Sequence, residues 1–199
     1  MSYNIVTVSR QFGSGGRTIA KKVANNLGYA YYDNELVSEI AKKSGFDESF
    51  IREAGEYAGY RSSLLFSMAT SGLAAGNYMS TTDSLYIFQH NLIKELADKG
   101  SCVIVGRCAD YILKDRTDCF NTFIHADMEF RAKRIVDIYG EKADSPEKRL
   151  ADKDKKRMNY YRHYTDRMWG NAENYHICLN SGKIGIDKCA EIITELVKQ

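Results

Sequence analysis

The stretch Ser9-Arg10-Gln11-Phe12-Gly13-Ser14-Gly15-Gly16-Arg17-Thr18 limits what this chain can fold into more than any other. Before it, Tyr3 to Val8 is rich in β-branched residues and predicts a short strand. After it, Thr18 to Leu27 has amphipathic helical spacing and stops at Gly28, a suitable residue just past a helix end. A glycine-rich turn between a strand and a helix is an anion cradle. Glycine lets successive backbone N–H groups point inward, and the helix N-terminus adds partial positive charge.

Set against the phosphate-binding pattern G-x-x-x-x-G-K-[ST], Gln11 takes the first glycine position. Gly16 takes the second, Arg17 the lysine and Thr18 the hydroxyl. Two of the four defining positions therefore differ. Three glycines followed by a cation and a hydroxyl at a helix start favour phosphate binding over a plain flexible loop. Whether Arg17 supports catalysis as lysine does is a separate matter, because arginine is a planar fork and lysine a compact point charge.

The 199 residues suffice for one domain with a substantial core, and 44% hydrophobic with 27% charged residues describes a soluble globular chain. The net charge of +2 is too small to argue for nucleic acid as a partner. The five cysteines are odd in number and form no C-x-x-C, so reduced thiols, no zinc site and a cytoplasmic setting are expected. The chain enters its first strand without an apolar leader. No run approaches the ~18 apolar residues of a membrane span, so no membrane partner is expected.

Further along, Tyr29 to Tyr32 predicts a second strand and Asn34 to Lys43 a helix closed by Gly45. Asp33 lies between them, at the strand edge where open α/β sheets bind ligands, and reads equally as a helix cap or a site residue. Phe50 to Tyr60 predicts a short helix. Ser62 to Met79 is a loop or a mobile helical piece, and Tyr86 to Ala97 a longer helix ended by Gly100. His90 on that helix reads as a packed or half-exposed histidine rather than a catalytic one. Ser101 to Gly106 is the clearest buried strand, and Arg107 follows it as a candidate anion ligand. Cys108 to Leu113 starts a helix on which Asp110 faces the same cleft. Cys119 to Ala126 predicts a strand, and Asp127 caps a helix from Met128 to about Tyr139 that carries Arg131 and Arg134 on one face. Tyr175 to Asn180 is a last strand, Ser181 to Gly185 a tight loop, and Ile186 to Lys198 a closing helix. Alternating strands and helices imply a parallel sheet covered on both faces.

From Lys148 to Arg167 there are eight Lys/Arg and three Asp, interleaved with Tyr160, Tyr161 and Tyr164. Three readings stay open: a nucleic-acid stripe, a lid that carries arginines to a transferring phosphoryl group, or a solvated helix. The near-neutral overall charge makes the first the weakest.

Taken in order, these features resemble the nucleoside monophosphate kinases, most closely the bacterial cytidylate kinase-like group. The resemblance rests on the loop Gly13 to Thr18, on Tyr32-Asp33, and on Val105-Gly106-Arg107, which is similar to a Gly-Arg-Asp motif. It continues through Phe123 to Ala126 with Arg131 and Arg134, Asp154-Lys155-Lys156-Arg157, and Leu179-Asn180-Ser181. It implies a single P-loop NTPase domain over 1–199, a three-layer α/β/α fold on about five parallel strands. An acceptor-binding insert would span about 45–85 and a lid about 140–170. It implies transfer of the γ-phosphoryl of ATP, with Mg²⁺, to a nucleoside monophosphate such as CMP or dCMP. Gly13, Ser14, Gly15, Gly16 and Arg17 would hold the nucleotide phosphates, with Asn180 and Ser181 near the adenine. Thr18 and Asp33 would serve the metal. Asp33, Arg107 and Asp110 would meet the acceptor, and Arg17, Arg131, Arg134 and Arg157 would neutralise transferring charge. Small-molecule nucleotides would be the partners, and a homo-oligomer is compatible with the sequence. The chain departs from the pattern at Gln11, Arg17, Asn34-Glu35 and Cys108, and no motif is matched between Asp47 and Asp83. A different small-metabolite acceptor, or nucleotide binding with little catalysis, are the alternatives. No role follows from sequence for Asn159-Tyr160-Tyr161-Arg162.

Overall fold

The computed structural model describes residues 3–45, 47, 48, 51, 81–140, 142 and 144–199. The helix expected over Phe50 to Tyr60 and the segment Ser62 to Met79 lie outside the described residues, save Ile51.

Five strands form one parallel sheet: β1 (Ile5–Arg10), β2 (Ala30–Tyr32), β3 (Cys102–Val105), β4 (Cys119–His125) and β5 (Ile177–Asn180). Their order is β2-β3-β1-β4-β5. The helices are α1 (Gly16–Leu27), α2 (Asn34–Ser44), α3 (Thr81–Lys99), α4 (Ala109–Ile112), α5 (Met128–Asp137), α6 (Pro146–Thr165), α7 (Ser181–Ile184) and α8 (Ile186–Lys198). This is the expected α/β/α sandwich.

Strand β1 lies at the centre and all six of its residues are buried. Its alternation divides the core into two layers. Ile5, with Cys102 and Ile104 of β3, packs against Leu36, Ile40, Leu92, Ile93 and Leu96 of α2 and α3. Val6 and Val8, with Val103, Val105 and Ile124, pack against Ile19 and Val23 of α1 and Cys189 and Ile193 of α8. Pairing Val8 with Val105 and Arg10 with Ile124 levels the strands' carboxyl ends. The phosphate loop, Asp33, Arg107, Asp127 and Asn180 all leave the sheet at that edge. All five cysteines are free thiols. Burial pushes Cys102 up to about 11 and Cys119 up to about 12, so both are protonated at neutral pH. Among the described residues no helix is long and apolar enough to cross a membrane.

Three local expectations change. Ser181 to Gly185 is a helical turn rather than a tight loop, because the Asn180 side-chain oxygen accepts from the backbone N–H groups of Gly182 and Lys183. Asp33 makes no side-chain cap on α2, since its carboxylate is turned to Arg17. Asp127 likewise makes no side-chain cap on α5 and pairs with Lys183 at 3.2 Å.

Candidate active site

The loop between β1 and α1 bends through two left-handed glycines, Gly13 at φ 78° and Gly15 at φ 79°. The positive φ is what favours glycine at Gly15; a Cβ there would also make the Ile186 methyl shift and crowd the Arg134 guanidinium. Ser14, fully buried, donates its hydroxyl to the Gln11 carbonyl at 2.9 Å. The Gln11 side chain, in place of the pattern's first glycine, accepts from the Ala126 N–H at 3.2 Å and so ties the loop to the end of β4. Buried Ser181 donates to the Ser14 and His125 carbonyls. The sequence resemblance placed Asn180 and Ser181 near an adenine; here Ser181 holds the loop from behind, while Asn180 caps α7.

Arginines gather around this loop. Arg10, Arg17 and Arg157 line a small, open recess together with Gln11, Phe12, Gly13, Gly15, Gly16 and Tyr139. Arg134 donates to the Thr18 hydroxyl at 3.1 Å. Half-exposed Arg17 pairs with Asp33 at 3.0 Å. Arg131 is buried and spent differently: it pairs with Asp154 at 2.6 Å and donates to the Phe12 carbonyl. Its Nε, like that of Arg134, is buried with no hydrogen-bond partner among the described residues. Cations at this density beside a glycine loop repel one another unless an anion lies between them.

Helix α6 is the segment with the open readings. Its buried residues are Leu150, Arg157, Tyr160, Tyr161 and Thr165, while Lys148, Lys155, Lys156 and Arg162 face solvent. The inward stripe binds the loop. Asp154 accepts from the Phe12 N–H at 2.7 Å, and Arg157 donates to the Arg10 carbonyl at 3.0 Å. The helix is thus solvated on one face and packed against the loop on the other.

On the other side of β1, the turn after β3 takes three successive left-handed residues, Gly106, Arg107 and Cys108, at φ 72°, 56° and 55°. Arg107, only 7% exposed, donates to Gln89 on α3 at 2.6 Å. Gln89 in turn donates to the Tyr160 hydroxyl at 2.9 Å. Asp110 is buried and accepts from the Tyr161 hydroxyl at 2.6 Å. Burial raises its carboxyl above the usual aspartate value, and the Tyr161 hydrogen bond pulls it back down. His90 is half-buried, with its ring tilted at 6.2 Å from that of Tyr86.

Residues 5–183 match the cytidylate kinase-like family. The chain belongs to that family. No curated protein matches it significantly. Among solved structures, an uncharacterized protein from Eubacterium ventriosum is 28% identical, with 97% of each chain covered and a TM-score of 0.73. Shikimate kinase from Acinetobacter baumannii, in complex with shikimate, is 16% identical over 98% of this chain and 93% of that one, with a TM-score of 0.54. A gluconokinase from Sinorhizobium meliloti is 11% identical, covering 99% and 95%, with a TM-score of 0.54. The shared architecture is the P-loop kinase fold.

Within this cytidylate kinase-like chain, the predicted residues fall into two groups on either side of the β1 carboxyl end. Gly13 to Thr18, Arg134 and Arg157 gather at the loop, with Asp33 joined through Arg17. Arg107 and Asp110 lie in the β3 turn. Sequence reasoning passed over Arg10 and Gln89, and gave Asp154 no role. Arg10 carried a signal, as a charged residue in an otherwise buried strand; Gln89 carried none.

Proposed function

We propose that this protein transfers the γ-phosphoryl group of ATP to a small acceptor, with a nucleoside monophosphate, CMP or dCMP first, as the acceptor. The supporting observation is the convergence of Arg10, Arg17 and Arg157 on the glycine loop, with Arg134 at Thr18. Phosphoryl transfer needs positioned cations more than a covalent nucleophile. In this reading the Gly13–Gly16 backbone and Arg17 hold the β- and γ-phosphates. Arg134 and Arg157 neutralise the transferring group, and Arg131 fastens α6 to the loop through Asp154. Arg107 takes the acceptor's phosphate and Asp33 orients the acceptor. An acceptor phosphate oxygen bonds to the γ-phosphorus as the β–γ bridging oxygen leaves with ADP.

Thr18 and Asp33 are hard oxygen donors of the kind Mg²⁺ accepts, and Mg²⁺ keeps water and phosphate oxygens as its other ligands. When bound, the ion would neutralise charge on the phosphates. Both oxygens now face arginine, Thr18 toward Arg134 and Asp33 toward Arg17. Among the described residues no three His, Cys, Asp or Glu cluster as a metal site, which suits an ion delivered with the nucleotide. The whole chain would work as one domain, with 45–85 serving the acceptor and 140–170 the lid.

A second reading keeps the donor chemistry and changes the acceptor to another small metabolite. The burial of Arg107 and Asp110, engaged by Gln89 and Tyr161, favours it. The test is a coupled ADP-release assay with CMP, dCMP, UMP, AMP, GMP, shikimate and no acceptor. ADP formed faster with CMP or dCMP than without acceptor is the expected result. Turnover with shikimate alone would replace the nucleotide reading with the second. ATP binding without transfer to any acceptor would overturn both.

A further inference from the structure

Two consecutive residues of an α-helix point about 100° apart. Tyr160 and Tyr161 are nonetheless both buried, 4% and 3% exposed. Phenylalanine would fill the same space without a hydroxyl to satisfy. Both hydroxyls are used, and on one short turn. Tyr160 accepts from Gln89, which holds the Arg107 guanidinium with its amide oxygen and the Arg107 carbonyl with its amide nitrogen. Tyr161 donates to Asp110. One turn further along α6, Tyr164 stacks flat on Tyr86 of α3 at 4.0 Å, and its hydroxyl donates to the Thr82 carbonyl. Tyr86 precedes Gln89 by three residues, so this stack fixes the register of the helix that presents Gln89.

The turn needs such bracing. Arg107 and Cys108 are left-handed without being glycine, a conformation that persists only where the surroundings over-determine it. The same helix grips the phosphate loop through Asp154 and Arg157. From Asp154 to Tyr161 the helix rises about 10 Å, a spacing that does not adjust.

We propose that Tyr160 and Tyr161 are positioning residues, and that α6 is a strut setting Arg107 and Asp110 against the phosphate loop. The assignment of Arg107 to the acceptor rests on the proposed function; the mechanical link does not. The strut predicts that occupancy of the loop is felt in the β3 turn.

The experiment uses the full chain as wild type, Tyr161→Phe and Tyr160→Phe, the second variant standing in if the first does not fold. Amide hydrogen exchange over residues 106–113 is followed with and without a non-hydrolysable ATP analogue. In the wild type the analogue slows exchange there, although that segment lies outside the loop. Exchange of the free protein is faster by about tenfold in Tyr161→Phe, which loses a hydrogen bond to a carboxylate, and by about fivefold in Tyr160→Phe, which loses a neutral one, and in both the analogue no longer slows it. With the acceptor that the wild type turns over, KM for that acceptor rises by about tenfold while KM for ATP stays within about twofold. A purely structural role would lower stability and leave that split in KM absent. Unchanged exchange on adding the analogue to wild type, or wild-type protection and acceptor KM in both variants, overturns the strut. Coupled exchange in a wild type that phosphorylates no nucleoside monophosphate overturns the proposed acceptor and leaves the strut standing.

Discussion

The phosphate loop and the β3 turn sit at the carboxyl ends of neighbouring strands, and both need left-handed backbone. The loop meets that need with glycine at Gly13 and Gly15. The turn has one glycine and then continues through Arg107 and Cys108. Under the proposed function the loop would present backbone to its ligand, which makes side chains dispensable there. The turn presents a guanidinium, so it keeps the side chain and carries strain of about 1–3 kcal/mol per residue. The surroundings differ accordingly. Charged partners surround the loop, whereas the neutral groups of Gln89 and Tyr160 brace Arg107.

The sharpest way to separate the two regions is Arg157→Ala. Under the proposed function turnover should fall by about 10³-fold, measured by single-turnover phosphoryl transfer, with acceptor KM little changed. An acceptor KM that rises instead would show that the two regions do not divide the work. Next in size is Asp154→Asn, which leaves the buried Arg131 charge without its ion pair. The expected loss is about 3 kcal/mol in urea unfolding, and an unchanged midpoint would demote the charged clasp on the loop. Gly15→Ala should cost about 2 kcal/mol from its positive φ and weaken nucleotide binding in titration calorimetry. Cys108→Gly, at the turn, should not weaken nucleotide binding, and a loss there would blur the contrast. Arg17→Lys should change turnover by about fivefold at most, the equivalent of the ~1 kcal/mol that a half-exposed pair with Asp33 contributes.

The smallest effect belongs to the rim of the turn's supporting helices. Glu95 on α3 pairs with Lys43 of α2 and with Lys99, and these hydrogen bonds hold its carboxyl down to about 2 from an ordinary 4.5. A depressed carboxylate contributes stability that is present above the ordinary value and lost as pH falls toward the lowered one. Glu95→Gln should therefore shift the acid-unfolding curve at pH 5 and above, and the difference should vanish near pH 2.

The form of the glycine loop was legible because it is written in consecutive residues. Strand, glycines, Arg17 and the helix start fall within Ile5–Leu27, and the left-handed positions are where glycine stands. The sheet was legible from buried runs such as Cys102–Val105. The inward face of α6 was not. Leu150, Asp154, Arg157, Tyr161 and Thr165 recur at helical spacing, but a stripe containing an acid, a base and two hydroxyl groups does not register as a buried face. Gln89 was out of reach because its meaning comes only from Arg107 and Tyr160, 18 and 71 residues away. Asp33 left two readings open, cap or site residue, for the same reason: its partner Arg17 is adjacent only once the strands are aligned.

The Ser181 hydroxyl on the Ser14 carbonyl joins residues 167 positions apart, and Arg157 and Asp154 reach back 147 and 142 positions to the same loop. The loop's own residues are made before any of its fasteners, which begin with Ala126, Arg131 and Arg134 and end with Ser181. The loop is thus among the last elements to become rigid, after closures that are entropically slow. A nascent chain therefore carries this glycine loop well before it carries all the groups that hold it in place.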